Sequence, residues 1–178
     1  MPKLRHIAAT LLLLMASATF AAGEEPAGYV LAPGDQIAIS VFGEPDLSVE
    51  FTLSDEGALN YPFLGEVRVS GLTMPGLEQR IADGLRGDYL IHPDVTVSMK
   101  QYRPFFLNGE VNRPGGYPYQ PGLTLEKALA LAGGISPRAS RKKIEVKRAT
   151  DSTGAQIRIK MSDPVYAGDV ITVPQSLF

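Results

Sequence analysis

The spacing of apolar residues along the chain predicts a series of short β-strands. Apolar side chains alternate with polar ones at Ile37, Ile39 and Val41, and a period of two is typical of strands that bury one face. Glycine, proline and aspartate residues that favour turns separate such segments. The same pattern predicts further strands at residues 51–53, 59–63, 67–69, 95–99, 105–111, 144–146, 157–159 and 170–173.

Two segments have helical spacing instead. The first has Leu77, Ile81 and Leu85 on one face, with Thr73 as its N-cap and Gly87 at its end. The second follows Thr124, ends at the glycines 133 and 134, and buries a face made of Leu125, Ala128, Leu129 and Ala132. Strands with one helix in each half predict an α+β fold of two small domains, 22–102 and 103–178. Because each is shorter than about 80 residues, we expect the two to pack together or the protein to oligomerise.

The first 21 residues have the layout of a secretory signal peptide. Lys3 and Arg5 precede an apolar run at 7–15, and small residues follow. The alternative of an uncleaved membrane anchor is disfavoured, since a span needs about 20 apolar residues. Cleavage after Ala18 or after Ala21 both fit. The sequence therefore predicts an exported, periplasmic protein.

The composition limits the kinds of metal-binding, nucleic-acid-binding and catalytic site that the chain can form. There is no cysteine, and His92 is the only histidine after the predicted cleavage, so thiolate and multi-histidine metal centres are excluded. The formal net charge of −2 gives no reason to expect nucleic-acid binding. No nucleophile elbow or phosphate-binding loop occurs. We expect no cofactor and no enzymatic activity, and we interpret the following acidic residues as turn residues: Glu44, Asp46, Asp55 and Glu56.

Aromatic residues and an arginine cluster around the predicted domain boundary. They are Tyr102, Arg103, Tyr117 and Tyr119. Tyrosine rings stack on the apolar faces of sugars, and arginine binds hydroxyl or carboxylate groups. The alternative is that these tyrosines pack a proline-rich loop against the core of the second domain.

A run of basic residues follows in the second half. It comprises Arg138, Arg141, Lys142, Lys143, Lys147, Arg148, Arg158 and Lys160. Arg141, Lys142 and Lys143 are candidates for contact with an anionic polysaccharide or with an acidic neighbouring subunit. The alternative is a solvated face of a hairpin.

One short pattern occurs twice. Residues 31–37 (LAPGDQI) and 165–171 (VYAGDVI) both place a Gly-Asp turn between an apolar residue and a strand. Such turns are common, and seven residues are too few to indicate a repeat architecture.

Motifs in both halves occur in the order of a known family. They are YVLAPGD (29–35), VFGEPDLS (41–48), YPFLG (61–65), YLIHPDV (89–95), GEV (109–111), PG (114–115), Tyr117, GLT (122–124), AGG (132–134) and GDVITVP (168–174). With them the chain resembles the outer-membrane polysaccharide export proteins. These have a polysaccharide-export domain followed by a soluble-ligand-binding β-grasp (SLBB) domain.

The resemblance implies a role in the export of capsular polysaccharide or exopolysaccharide. It implies a homo-oligomeric ring and a partnership with an inner-membrane polysaccharide co-polymerase. Many members carry a lipidated cysteine and further C-terminal segments, which this sequence lacks, so we expect the short, wholly periplasmic type. A separate outer-membrane protein would then supply the pore.

Three functions are compatible with the sequence. The first is a periplasmic ring or adaptor through which polysaccharide passes toward the outer membrane. The second is a monomeric periplasmic module that binds glycan. The third, an enzyme acting on glycan, is disfavoured because no catalytic constellation is present.

Overall fold

The computed structural model of the protein describes residues 28–176, so the predicted signal peptide and both cleavage positions lie outside them. The described residues form two hydrophobic cores. One is built from residues between 31 and 97, and the other from residues between 105 and 173. The α+β class with two small domains is therefore confirmed.

The first domain is built around an antiparallel sheet. Strands β1 (Gln36–Val41), β2 (Val49–Thr52), β3 (Ala58–Tyr61), β4 (Gly65–Arg68) and β5 (Val95–Gln101) follow in chain order. β1 lies between β2 and β5, while β3 and β4 form a separate hairpin. The alternation in β1 buries Ile37, Ile39 and Val41, as predicted from its period of two. A one-turn 3-10 helix at Pro45–Leu47 connects β1 to β2.

Helix α1 (Met74–Leu85) covers this sheet. The Thr73 side chain accepts a hydrogen bond from the Gly76 N–H at 3.3 Å, which caps the N-terminus as predicted. Leu77, Ile81 and Leu85 are fully buried. These three residues form the apolar stripe that the four-residue spacing predicted.

The second domain has one mixed sheet. Its strands are β6 (Phe105–Gly109), β7 (Gly115–Tyr117), β8 (Glu145–Lys147), β9 (Gln156–Arg158) and β10 (Val170–Val173), in the spatial order β7-β6-β10-β8-β9. β6 and β10 are parallel, and the other pairs are antiparallel. Helix α2 (Leu125–Leu131) is capped by Thr124 and buries its predicted face against this sheet.

Two local predictions are wrong. The strand predicted at 59–63 ends at Tyr61, because the tight β3–β4 hairpin reverses the chain there and puts Phe63 at a left-handed φ of 65°. Residues 115–117, which are not among the strands predicted from the alternation of apolar residues, form β7, since their backbone pairs with the edge of β6. Pairing between neighbouring strands decided both cases.

We expect Ile81→Ala to lower the free energy of unfolding by about 2–5 kcal/mol, since it opens a cavity under helix α1. Arg80→Ala, on the exposed face of the same helix, is the control and is expected to change it by less than about 0.5 kcal/mol. Urea unfolding followed by circular dichroism measures both. Equal effects would contradict the packing of α1 described above.

Candidate functional site

The sequence pattern that occurs twice forms two turns of the same geometry. The glycines before the two aspartates have φ angles of 88° and 81°, a region that favours glycine. Asp35 accepts a hydrogen bond from the N–H of Ala32 at 2.9 Å, and Asp169 accepts one from Tyr166 at 2.9 Å. Both carboxylates are fully buried. The short pattern is therefore a structural repeat.

Each buried carboxylate is paired with an arginine from a distant segment. The backbone N–H of Arg103 lies 2.9 Å from Asp35 Oδ1, and its Nη1 lies 3.1 Å from Oδ2. Arg148 Nη1 lies 2.5 Å from Asp169 Oδ2. A buried carboxylate that lost such a partner would remain as an uncompensated charge in a low-dielectric interior.

Arg103 touches both turns and so joins the two domains. It leaves the last strand of the first domain and holds Asp35, while its side chain also packs against Gly168. A methyl group added to Gly168 would come within 2.8 Å of Arg103 Nε. The Gly168 N–H also donates to the carbonyl of Pro104 at 3.1 Å. The domain junction is thus fixed by hydrogen bonds on both sides of this arginine.

Tyr29 completes the cluster around Asp35. Its hydroxyl donates to Asp35 Oδ1 at 2.7 Å and accepts from Arg103 Nη1 at 3.1 Å. Burial, and next the hydrogen bond to the Asp35 carboxylate, hold the pKa of Tyr29 far above its usual value. The raised pKa keeps the Tyr29 hydroxyl protonated, so that it donates to the Asp35 carboxylate.

Above these ion pairs lies a cleft of about 310 Å³. Its walls come from both domains, and four tyrosine rings line it: Tyr29, Tyr102, Tyr119 and Tyr166. Neighbouring rings meet edge to face, with centroids 4.8 Å apart for Tyr29 and Tyr102 and 5.3 Å apart for Tyr102 and Tyr119. This geometry is the favourable one for aromatic pairs.

The two arginines support the aromatic walls. Arg103 lies 5.6 Å from the centre of the Tyr29 ring, and Arg148 lies 4.9 Å from that of Tyr166. Both distances are within the range of cation–π attraction. Each arginine therefore contacts a carboxylate and a tyrosine ring. These contacts hold the Tyr29 and Tyr166 rings of the cleft in place.

The side chains that line the cleft are suited to binding a ligand. It offers apolar ring faces and phenolic hydroxyls, which suit the C–H faces and hydroxyls of a sugar ring. The carboxylates of Asp35 and Asp169 are already held by arginine and backbone N–H groups. Within residues 28–176, no three His, Asp or Glu side chains come together as metal ligands would.

The structure brings three of the predicted site residues together and separates the others. Tyr102, Arg103 and Tyr119 line the cleft. Tyr117 packs its ring against Phe105, with centroids 5.9 Å apart, and belongs to the core of the second domain. The exposed residues Arg141, Lys142 and Lys143 form a turn outside the cleft.

Two tyrosines of the cleft and one arginine of the ion pairs beside it were not predicted as site residues from the sequence. Tyr29 and Tyr166 lie beside the two Gly-Asp turns, so the short repeated pattern was the available signal. Arg148 belongs to the basic run of the sequence, but its guanidinium is held by Asp169, 21 residues away along the chain. That pairing follows from the register of β8 against β10.

Comparison with known families identifies both domains. Residues 23–100 match the model of the polysaccharide biosynthesis/export protein family, and residues 104–160 match the SLBB domain. The two matches follow each other along the chain in the order that the motifs predicted. The chain therefore contains a domain of the polysaccharide biosynthesis/export family followed by an SLBB domain.

The relatives that the chain is similar to are named for polysaccharide production, transport or export. The chain is 38% identical over 91 residues, half of its length, to the exopolysaccharide production protein ExoF of Rhizobium meliloti. It is 29% identical over 123 residues, 67% of its length, to the polysialic acid transport protein KpsD of Escherichia coli. It is 32% identical over 97 residues, 53% of its length, to the EPS I polysaccharide export outer membrane protein EpsA of Ralstonia nicotianae.

The matched regions are a small part of those relatives. They span 22% of ExoF, 22% of KpsD and 25% of EpsA. Among residues 28–176, no helix is long and apolar enough to cross a membrane.

We expect Arg103→Ala to lower the free energy of unfolding by about 3–5 kcal/mol, because it leaves the buried Asp35 carboxylate without its partner. The control is Arg86→Ala, which breaks an exposed ion pair with Asp83. That change is expected to lower the free energy of unfolding by less than about 1 kcal/mol. Thermal and urea unfolding measure both, and similar losses for the two variants would show that the junction contributes no more than a surface contact.

Stability is also expected to fall at alkaline pH. Burial raises the pKa of Tyr61 to about 12, and the pKa values of Tyr29 and Tyr119 are raised too. Because an unfolded tyrosine ionises near pH 10, the contribution of each is complete below that pH and is lost as the pH rises toward the folded value. For Tyr61 the expected slope is about 1.4 kcal/mol per pH unit between pH 10 and 12.

Urea unfolding at pH 8, 9, 10 and 11 tests this dependence. Tyr61→Phe removes one ionisable group, so it should flatten the decline above pH 10. Tyr117→Phe is a tyrosine-to-phenylalanine control in the other domain. A wild-type stability that stayed constant up to pH 11 would contradict the burial of these hydroxyls.

Proposed function

We propose that the chain is a periplasmic, non-enzymatic component of a capsular polysaccharide or exopolysaccharide export machine. It forms a ring or an adaptor through which polymer passes toward the outer membrane. The observation that carries this proposal is the succession of a polysaccharide-export domain and an SLBB domain over residues 23–160. The relatives named for exopolysaccharide production and polysialic acid transport support it.

The proposed partners follow from this role. Polymer reaches the ring from an inner-membrane polysaccharide co-polymerase, and a separate outer-membrane protein provides the pore. Identical copies of the chain form the ring, in which residues 22–102 are the export domain and residues 103–178 the SLBB domain.

The aromatic cleft is the proposed contact with polysaccharide. The half-buried residues Tyr102 and Tyr119 line the cleft together with Tyr166, which is half-exposed. Stacking on one ring contributes on the order of 1 kcal/mol. A transported polymer requires contacts that are weak and repeated, because tight binding would stop its movement.

A monomeric glycan-binding module is the second candidate. The size of the cleft favours it, since about 310 Å³ is at the lower limit of pockets that enclose a small ligand. A module of this kind would bind a defined oligosaccharide as a monomer, whereas an export ring would contact many sugar units weakly.

Polysaccharide secretion by a clean deletion strain tests the export role. We expect loss of extracellular polysaccharide on deletion, and restoration by the gene on a plasmid. Tyr119→Ala with Tyr166→Ala is expected to reduce restoration severalfold at unchanged protein level, since the double change removes two walls of the cleft.

Tyr117→Phe, outside the cleft, is the matched control and should restore secretion fully. Normal secretion by the deletion strain would contradict the export role. In that case, titration of the purified protein with oligosaccharides, followed by calorimetry, would test the binding module. Full restoration by the double variant would exclude the cleft as a polymer contact while leaving the export role intact.

A further inference from the structure

The two domains carry opposite charge. Residues 28–102 contain 11 acidic and 4 basic side chains, a net of −7. Residues 103–176 contain 11 basic and 6 acidic side chains, a net of +5. The formal charge of −2 for the whole chain conceals this separation. A chain that is acidic at one end and basic at the other attracts copies of itself head to tail.

The acidic domain has a distinct end far from the junction. Strand β1 runs from Gln36, beside the junction, to Val41 at the opposite end. Three loops meet there, 42–48, 62–64 and 86–94, and we call them the distal face. Backbone and side-chain contacts join them: Phe42 N–H to the Asp94 carbonyl at 2.9 Å, and the Tyr61 hydroxyl to the Leu47 carbonyl at 2.7 Å.

Large apolar side chains stand exposed on the distal face. Phe42 is 85% exposed, Ile91 80% and Phe63 65%. Single exposed apolar residues are ordinary, but several on one end of a small domain mark a surface that contacts another protein. Among the described residues, acidic side chains that take part in no ion pair surround them: Glu44, Asp46, Asp88 and Asp94.

The backbone of this face is strained at one of these positions. Phe63 has a left-handed φ of 65°, which is unfavourable for a bulky residue. Its ring packs against Tyr89 with centroids 5.0 Å apart, and the Tyr89 hydroxyl donates to the Phe63 carbonyl at 3.3 Å. Strain of this kind persists where the surrounding contacts hold it, and it concentrates at functional surfaces.

A complementary surface lies on the second domain. The turn 141–143 and the β8–β9 hairpin bring together the exposed residues Arg141, Lys142, Lys143, Lys147, Arg158 and Lys160, which we call the basic hairpin. The Ile159 N–H donates to the Ile144 carbonyl at 3.1 Å, so the turn lies beside the end of β9. None of the six forms an ion pair within residues 28–176. Ile157 adds a half-exposed apolar side chain.

We propose that the distal face of one copy binds the basic hairpin of a second copy of this chain. Acidic groups around an apolar centre meet basic groups with an apolar residue among them. Since the two surfaces differ, the contact is heterologous, and repeated contacts of that type close into a ring when the rotation permits. The contact supplies the subunit interface of the proposed ring, and it rests on that proposed function.

A second copy fits the distal face better than the polymer does. An anionic polysaccharide would be repelled by the unpaired carboxylates, and the sugar-binding features lie at the other end of the domain, in the cleft. The basic hairpin could attract anionic polymer by itself, but it could not account for the exposed rings of the distal face.

A charge exchange between the two surfaces tests this contact on the purified full-length protein, with no polysaccharide present. One variant replaces two of the four acidic residues of the distal face, Asp88→Lys with Asp94→Lys, and so cancels the net charge of these four positions. The other replaces two of the six basic residues of the hairpin, Lys142→Glu with Lys143→Glu, and so removes most of its positive charge. Sedimentation velocity at low and high salt measures the mass of each sample and of their equimolar mixture.

We expect wild-type protein to associate at low salt and to dissociate as salt increases. Each variant alone is expected to associate about tenfold more weakly or worse, because one of its two surfaces has lost most of its charge. The equimolar mixture is expected to regain association as heterodimers, since the unchanged distal face of one variant then meets the unchanged basic hairpin of the other. Only a contact between these two surfaces predicts recovery on mixing.

Controls separate this contact from changes in total charge and in folding. Asp55→Lys with Glu56→Lys alters the charge equally in an exposed turn outside the distal face, and should associate like wild type. Phe42→Ser with Ile91→Ser removes exposed apolar groups, and should weaken association without lowering the melting temperature.

Three outcomes would overturn the proposal. They are a wild-type monomer at all protein concentrations and salt levels, association that is indifferent to both charge reversals, and reversal variants that fail to recover on mixing. None of these outcomes concerns secretion by the deletion strain, so the export role is tested separately. A mixture that recovers mass while the deletion strain secretes normally would support the contact and contradict export.

Discussion

The pairing of Asp35 with Arg103 is the interaction on which the arrangement of the two domains depends. The carboxylate is fully buried, and a backbone N–H, a guanidinium and a phenol hydroxyl all donate to it. Burial makes each of these bonds difficult to replace by water. Because Arg103 is the residue at which the chain enters the second domain, the same contacts that satisfy a buried charge also fix the direction in which the next domain begins.

The second Gly-Asp turn repeats the buried aspartate–arginine pair on the other side of the junction. Asp169 and Arg148 reproduce the buried pair from the other domain, and Arg103 lies against the glycine of that turn. Each pair keeps one arginine under one tyrosine ring. The ion pairs therefore help to place the aromatic cleft. Each arginine that pairs with a buried aspartate also lies against a tyrosine ring of the cleft.

Local pattern predicted the elements of the fold but not the partners of its charged residues. Helix α1 was predictable because Thr73, the spacing of its apolar residues and Gly87 all act within one segment. The strand β7 and the left-handed Phe63 were not, since pairing with another strand overrides local preference there. Arg148 was grouped with the basic run because no local signal distinguishes it from Lys147. Their different surroundings arise only when β8 pairs with β10, which carries Arg148 to Asp169.

The distribution of function along the molecule follows from this geometry. Pairing with arginine satisfies the two buried aspartates at the junction, while the remaining acidic residues of the first domain stay on its surface. The strand β1 separates the cleft from the distal face by about 3.3 Å for each of its six residues, roughly 20 Å. A sugar in the cleft and a subunit on the distal face would therefore not compete for the same atoms. The proposed assembly and the proposed polymer contact could then be altered independently, as would be required of a ring that stays intact while its cargo moves.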